Sequence, residues 1–301
     1  MKTRIQGFVE SRWFVALIVF FYLLLAAVLF YVLGSRTKPQ IESDLIRLIP
    51  QMLRTNFLLI AIGVVLCWRD IAGAFRDLFP GVSRCAGASP RGRYTAFLTA
   101  PGTGLAVIFI VGLLLVSQIA PQIHRIYYDE SIYANMAQNI ACAGQAGMAN
   151  YGTFEYGEYF VHWLDYNKDM AGWPFLISLV FQLFGTSETF AFYLNNLLFA
   201  GGILIVFFIA RMLAGPSAFP ALLAALVYAI IPHNPIWANT VSAENAAAVF
   251  GGLAVLCALA WLKTREPRRL FLLAAILPFA CHVRPESALI AFWAFAAAPW
   301  F

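Results

Sequence analysis

The chain has 301 residues, of which 61% are hydrophobic and only 12% charged, with a mean hydropathy of +0.76. A soluble domain is nearer half apolar and a quarter charged, so this composition excludes an ordinary soluble enzyme and points to a polypeptide that hides its apolar surface in lipid. The net charge of +5 is gathered in a few stretches, which suits membrane topology and anionic headgroups rather than nucleic acid, for which no binding motif is visible.

The apolar runs are continuous rather than alternating, so they predict helices and not a barrel. In chain order they are 13–33, 52–68, 103–121, 189–211, 218–232, 243–262, 270–283 and 287–301. No small-residue cleavage site follows the first run, which therefore reads as a retained span and not a removed signal. Three stretches are basic: Lys2, Arg4 and Arg12; then Arg69, Arg76, Arg84, Arg91 and Arg93; then Lys263, Arg265, Arg268 and Arg269. The positive-inside rule places all three in the cytoplasm. Stretch 122–172 sets Asp129, Glu130, Glu155, Glu158, Asp165 and Asp169 against Arg125 and Lys168, and is expected outside.

Between that outer loop and the inner loop 263–269 the chain must cross an odd number of times. Runs 189–211, 218–232 and 243–262 make three. The run 173–184, "WPFLISLVFQLF", has about a dozen residues where a crossing needs about 20, and as a fourth crossing it would break the parity. It is expected to lie in the interface or to re-enter from outside, with Trp163, Tyr166 and Trp173 at headgroup level. The expectation is eight crossings with both termini inside, and the ending "AAAPWF" fits a longer protein. Cys67, Cys85, Cys142, Cys257 and Cys281 show no CxxC spacing and read as neither disulfides nor metal ligands.

Chemistry concentrates where polar residues interrupt this pattern. In "RIYYDESIYANMAQNI", 125–140, Asp129 and Glu130 follow a span directly. Ile132, Met136 and Ile140 recur at helical spacing, with Ser131, Asn135 and Gln138 on another face, which predicts a short amphipathic helix suited to the membrane surface. The acid pair has two compatible readings: a helix-start cap for free amides, or a catalytic carboxylate held still by that position. Beyond it, His162, Lys168 and Asp169 lie among Tyr151, Tyr156, Tyr159, Trp163 and Tyr166, and rings beside carboxylates are a common way to hold sugars. Glu244 starts a later span. "CHVRPES" sets His282, Arg284 and Glu286 between two spans, where a charge is costly unless satisfied. Arg284 reads either as a snorkelling anchor or as a bidentate phosphate ligand. GxSxG, GxxxxGK[ST] and HExxH are all absent.

The order of elements resembles a known family. A span, "YYDESIYANMAQNI", an aromatic loop and "GWPFLISLVFQLFGTSETFAFYLNNLLFAGGILIVFFIARMLAG" together look like the GT-C membrane glycosyltransferases, in the branch of protein O-mannosyltransferases and aminoarabinose transferases. The resemblance covers roughly 103–301. Asp129 and Glu130 match its acidic site; Trp173, Pro174, Phe175, Leu176, Phe184 and Gly185 match its juxtamembrane helix; Asn195 and Arg211 match the next span. It implies an all-α polytopic membrane protein, a GT-C-like bundle of about eight transmembrane helices plus juxtamembrane helices in a large external loop. Residues 1–102 would hold two added helices and a basic cytoplasmic loop, and 103–301 the GT-C-like module with catalytic loop 122–188. Two spans precede the family's usual first one, its Lys-Pro pair is not intact, and a C-terminal external domain is missing.

The resemblance implies an inverting glycosyltransferase of the plasma membrane, its site facing outside, that moves a sugar from a polyprenyl-phosphate donor to an extracytoplasmic acceptor. Asp129 would be the general base and Glu130 its support. Tyr128, Tyr133, His162, Lys168, Asp169 and Glu244 would bind substrate, and His282 and Arg284 would neutralise the departing phosphate. No metal ligand set is evident, although a divalent cation is compatible with the family. The rival readings are a transporter or flippase-like protein and a non-catalytic truncated subunit.

Overall fold

The computed structural model describes Ala27, Tyr31 and residues 34–79, 100–125, 127–155, 158–167, 170–215 and 217–297; the side chains of 150–163 lie outside that description. The predicted span 13–33 therefore falls almost wholly outside the described residues, as do Arg84, Arg91, Arg93, Lys168 and Asp169. The chain divides into two compact units, 1–46 and 47–301.

Helix α1, Lys38–Leu66, starts fourteen residues before the run 52–68 that predicted it. The reason is local. In "TKPQ" the Thr37 amide donates to the Gln40 side chain at 3.0 Å, one half of a capping box, and Pro39 suits the first helical turn. An ion pair between Lys38 and Glu42, one turn apart, continues the polar start. The amphipathic α2 follows at Trp68–Arg76.

Helix α3, Pro101–Leu114, runs on as a single wide turn over Leu115–Ile119. Then come α4, Tyr127–Ala143, and two antiparallel strands, β1 at Met148–Glu155 and β2 at Glu158–Asp165. Next are α5, Gly172–Phe184; α6, Glu188–Ala214; α7, Phe219–Ile230; and the short α8, His233–Ala238. Helices α9, Glu244–Thr264, and α10, Pro267–Val283, lead through the tight turn Pro285–Ser287 to α11, Ala288–Ala297. Among the described residues, four helical segments are long and apolar enough to cross a membrane: Lys38–Leu66, Pro101–Ile119, Glu188–Ala214 and Glu244–Thr264. The class is that of an all-α membrane protein, with one hairpin added.

The helix ends collect at two opposite ends of the unit 47–301. At the basic end, Asp70 of α2 pairs with Arg268 and Arg269 at the start of α10, both of which also reach Glu266. Lys263 of α9 donates to the Met212 carbonyl near the end of α6. At the acidic end lie Glu130, Glu188, Glu244 and Arg284.

Helix α5 belongs to the acidic end alone. Its first residue, Gly172, sits so close to the α10 terminus that an added Cβ would lie 2.6 Å from the His282 carbonyl group. Four residues beyond its last, Glu188 meets His124 at that same end. The chain thus enters and leaves α5 on one side. Between those points Trp173, Phe175 and Ile177 are buried in the main core cluster with Leu53 of α1 and Phe279 of α10.

Two expectations are corrected. The apolar stripe of α4 does not face a membrane surface: Ile132, Met136, Ala137 and Ile140 are buried in the same cluster as Trp173 and Ile177. Protein covers the stripe because α5 supplies a second apolar surface. The aromatic loop that follows α4 is also more ordered than expected, since "MANYGTFEYGEYFVHWLD" folds into the hairpin. Its aromatic and β-branched content, with a glycine between the two aromatic runs of the sequence, carries that information. Asn135 accepts the Ala149 amide at 2.7 Å and Asn139 donates to the Gly147 carbonyl at 2.8 Å, so polar residues of α4 fasten the hairpin's first strand.

Candidate functional site

The acid pair lies in the first turn of α4, and its two members have opposite surroundings. Glu130 has no exposed surface. Its carboxylate accepts three hydrogen bonds of 2.9 Å each: from the Arg125 amide, from His124 Nδ1 and from the Val241 amide. An ionised carboxylate offers about four acceptor positions, so Glu130 is close to saturated. Asp129 is half-buried and takes no hydrogen bond from another described residue. Glu130 ties the segment before α4 to the Val241 segment, while Asp129 has no such tie among the described residues.

The physical cause is the helical turn. Adjacent residues point about 100° apart, so one faces the core and its neighbour the opening. Glu130 is turned toward the break between α7 and α9, where the chain lacks regular hydrogen bonding over 239–243. Backbone groups there must find other partners, and side chains supply them. Asn195 of α6 donates to the carbonyls of Trp237, Thr240 and Ser242 at 2.8–3.3 Å. Trp173 of α5 donates to the Val241 carbonyl at 2.7 Å. Asn239 donates to the Val116 and Ala120 carbonyls, which the wide turn of α3 leaves open, at 2.5 and 2.6 Å. Residues from α3, α4, α5 and α6 converge on this one segment.

His124 extends the cluster. Its Nδ1 meets Glu130, and its Nε2 lies 3.1 Å from an oxygen of Glu188 at the start of α6. The ring packs on Phe192 of α6. Next to it, the Arg125 guanidinium lies 5.8 Å from the Trp237 ring centroid, a cation–π distance.

Glu244 begins α9 three residues beyond Val241 and pairs with Arg284 at 2.5 Å. The other Glu244 oxygen is buried without a hydrogen bond. The pair lines an open groove of about 430 Å³ with Ala247, Gly251, Glu286, Ser287 and Ile290. Arg284 is thus neither a bare anchor nor an unopposed phosphate ligand: one terminal nitrogen is engaged by Glu244, and its other donors have no partner among the described residues.

Other anticipated residues are placed as follows. Tyr128 is exposed beside Asp129. Tyr133 is buried in the core cluster of α4 and α5. His282 lies in the last turn of α10, with its backbone against Gly172. His162 stands on β2 with its side chain outside the description, and Lys168 and Asp169 lie outside the described residues. Among the described residues, no three His, Cys, Asp or Glu side chains gather as a metal would require. His124, Glu188, Asn195 as a cap, Asn239 and the Val241 amide were not legible as site members. The available clues were a lone histidine after an apolar run and a lone acid starting another.

Comparison with known proteins finds no matching family model, no matching curated protein and no matching solved structure.

Proposed function

We propose that this protein is a membrane glycosyltransferase that moves a sugar from a polyprenyl-phosphate donor to an acceptor at the acidic end of its helices. The observation that carries the reading is the contrast within the acid pair: Asp129 has no partner among the described residues, while its neighbour Glu130 is buried and held by three hydrogen bonds. A general base must be both fixed and free to meet its proton. Here one carboxylate supplies the fixing and the next supplies the reach. The positive-inside rule turns the basic end to the cytoplasm and the acidic end outward.

In this reading an acceptor hydroxyl attacks the anomeric carbon while Asp129 takes its proton. The bond from that carbon to the phosphate oxygen breaks, the electron pair leaves with polyprenyl phosphate, and the configuration inverts. The free donors of Arg284 offer compensation for the charge growing on the phosphate. Glu244 orients the guanidinium and lowers its net charge, so the phosphate would share it rather than own it. A transporter or flippase-like reading draws on the broken backbone between α7 and α9, a feature that transporters place at their substrate sites.

The test is transfer from labelled polyprenyl-phosphate sugars in membrane vesicles. Asp129→Asn is expected to lower transfer about a hundredfold, the scale for losing a general base, with unchanged thermal stability because no hydrogen bond is lost. Wild-type transfer by that variant would remove the catalytic reading. Movement of the intact lipid-linked sugar across the vesicle, without transfer, would favour the transporter.

A further inference from the structure

We propose that α2 is a binding site for the headgroup of an anionic phospholipid, whose phosphate oxygens Arg69 and Arg76 hold beside the Trp68 ring. The proposal stands on the membrane class of the chain and not on the glycosyltransferase reading. Its first support is the place of α2 in the chain. Helix α1 is long and apolar enough to cross a membrane, and only Cys67 separates its last residue, Leu66, from Trp68. Val65, Leu66 and Trp68 are exposed apolar side chains, and the exposed Arg69 follows. The surface thus changes from apolar to cationic within one residue, at a tryptophan. A bilayer presents the same order from acyl chains to headgroups, and tryptophan favours that boundary.

The second support is the division of the helix into two faces. One seats it on the helical unit. Ile71 packs on the cluster of α9 and α10 that also buries Cys67. Phe75 meets the Phe208 ring of α6 edge-on at 5.3 Å. Asp70 pairs with Arg268 and Arg269 at 3.1 and 3.0 Å. At about 100° per residue, Trp68, Arg69, Ala72, Gly73 and Arg76 fall on the other side. They are the described residues that line a groove of about 480 Å³. The two arginines stand two turns apart with only Ala72 and Gly73 between them on that face. A Cβ at Gly73 would meet no described atom within 4 Å, so no bulky side chain divides the groove.

Charge selects the ligand. Neither Arg69 nor Arg76 has a hydrogen bond or ion pair to its guanidinium among the described residues. Asp70 is engaged by α10, and Asp77, just past the helix end, forms no ion pair with either arginine. Each guanidinium offers a planar fork that fits phosphate oxygens, and the Asp70 pairs hold the helix that carries both. A soluble anion would use the arginines alone. The exposed Trp68 ring and the exposed apolar end of α1 add a contact that only a ligand with acyl chains can use. A zwitterionic headgroup brings its own ammonium to the same place and cancels the attraction, whereas an anionic one does not.

The experiment uses the full chain reconstituted in phosphatidylcholine vesicles. Trace phosphatidylglycerol or phosphatidylcholine is added, each with the same photoreactive group at the glycerol end of an acyl chain. After illumination, adducts on residues 68–76 are quantified by mass spectrometry. Phosphatidylglycerol should label α2 in excess of phosphatidylcholine. The excess should fall about fivefold in Arg69→Gln or Arg76→Gln and about twenty-five-fold in the double variant, the scale of one basic residue each near an anionic surface. Lysine at both positions should keep part of the excess, because it retains the charge without the fork. Arg265→Gln removes the same charge from the same end and should leave the excess unchanged. Equal labelling by the two lipids overturns the proposal, as does a loss in Arg265→Gln as large as in the double variant. Inorganic phosphate that abolishes the labelling at constant ionic strength would make this a site for a soluble anion and would overturn it too.

Discussion

The two ends of the helical unit use the same ionic chemistry in opposite ways. At the basic end, Asp70, Glu266, Arg268 and Arg269 form a four-membered network whose side chains are each 20–39% exposed. At the acidic end, a single carboxylate, Glu130, is fully buried and satisfied by two backbone amides and an imidazole. Exposed pairs gain little, because water and salt compete for each partner. A buried carboxylate has no such substitute, and removing a partner leaves an uncompensated group. The number of ion pairs at an end therefore says little about what holds it. The basic end marks orientation; the acidic end is organised around one group.

Four measurements break or sharpen this contrast. The largest expected effect is all-or-none labelling. In intact cells, a cysteine at the exposed position 128 should react with an impermeant reagent, and one at position 266 should not. The reverse pattern would invert the two ends. Next is Glu130→Ala, expected to lose about 3–5 kcal/mol, as when a buried pair is broken; a loss no larger than that of Asp70→Asn would erase the distinction between the ends. Gly172→Ala follows, at about 1–3 kcal/mol, because the new methyl meets the rigid backbone of His282 and Val283 and not a mobile side chain. A neutral result would mean that α5 is not seated against α10. Smallest is Asp70→Asn, which should shift melting only slightly and not at all in about 1 M salt, where the screening length is about 3 Å. A large, salt-independent loss would make the basic network structural.

Asp129 and Glu130 show why part of the site was legible and part was not. That two acids directly after an apolar run form a helix start is local, and the first turn of α4 holds both. Which of them faces the core depends on what packs there. That is the Val241 segment, more than a hundred residues away. Asn195 and Asn239 illustrate the same limit. Inside apolar runs they read as isolated polar residues, and only the broken chain between α7 and α9 supplies the carbonyls that they cap.

The sequence alone determined the membrane class, the apolar helices and the shortness of α5, because hydrophobic length and charge bias act within a few turns of chain. It also carried the hairpin in "EYGEY", although the aromatic content was read as a binding loop. The tertiary structure decided the protein cover over α4, the burial of Glu130 beside an open Asp129, the pairing of Arg284 with Glu244, and the meeting of His124 with two carboxylates. Each of these depends on which distant backbone or charge comes within hydrogen-bonding reach, and hydrogen bonds act over about 3 Å of space however many residues lie between.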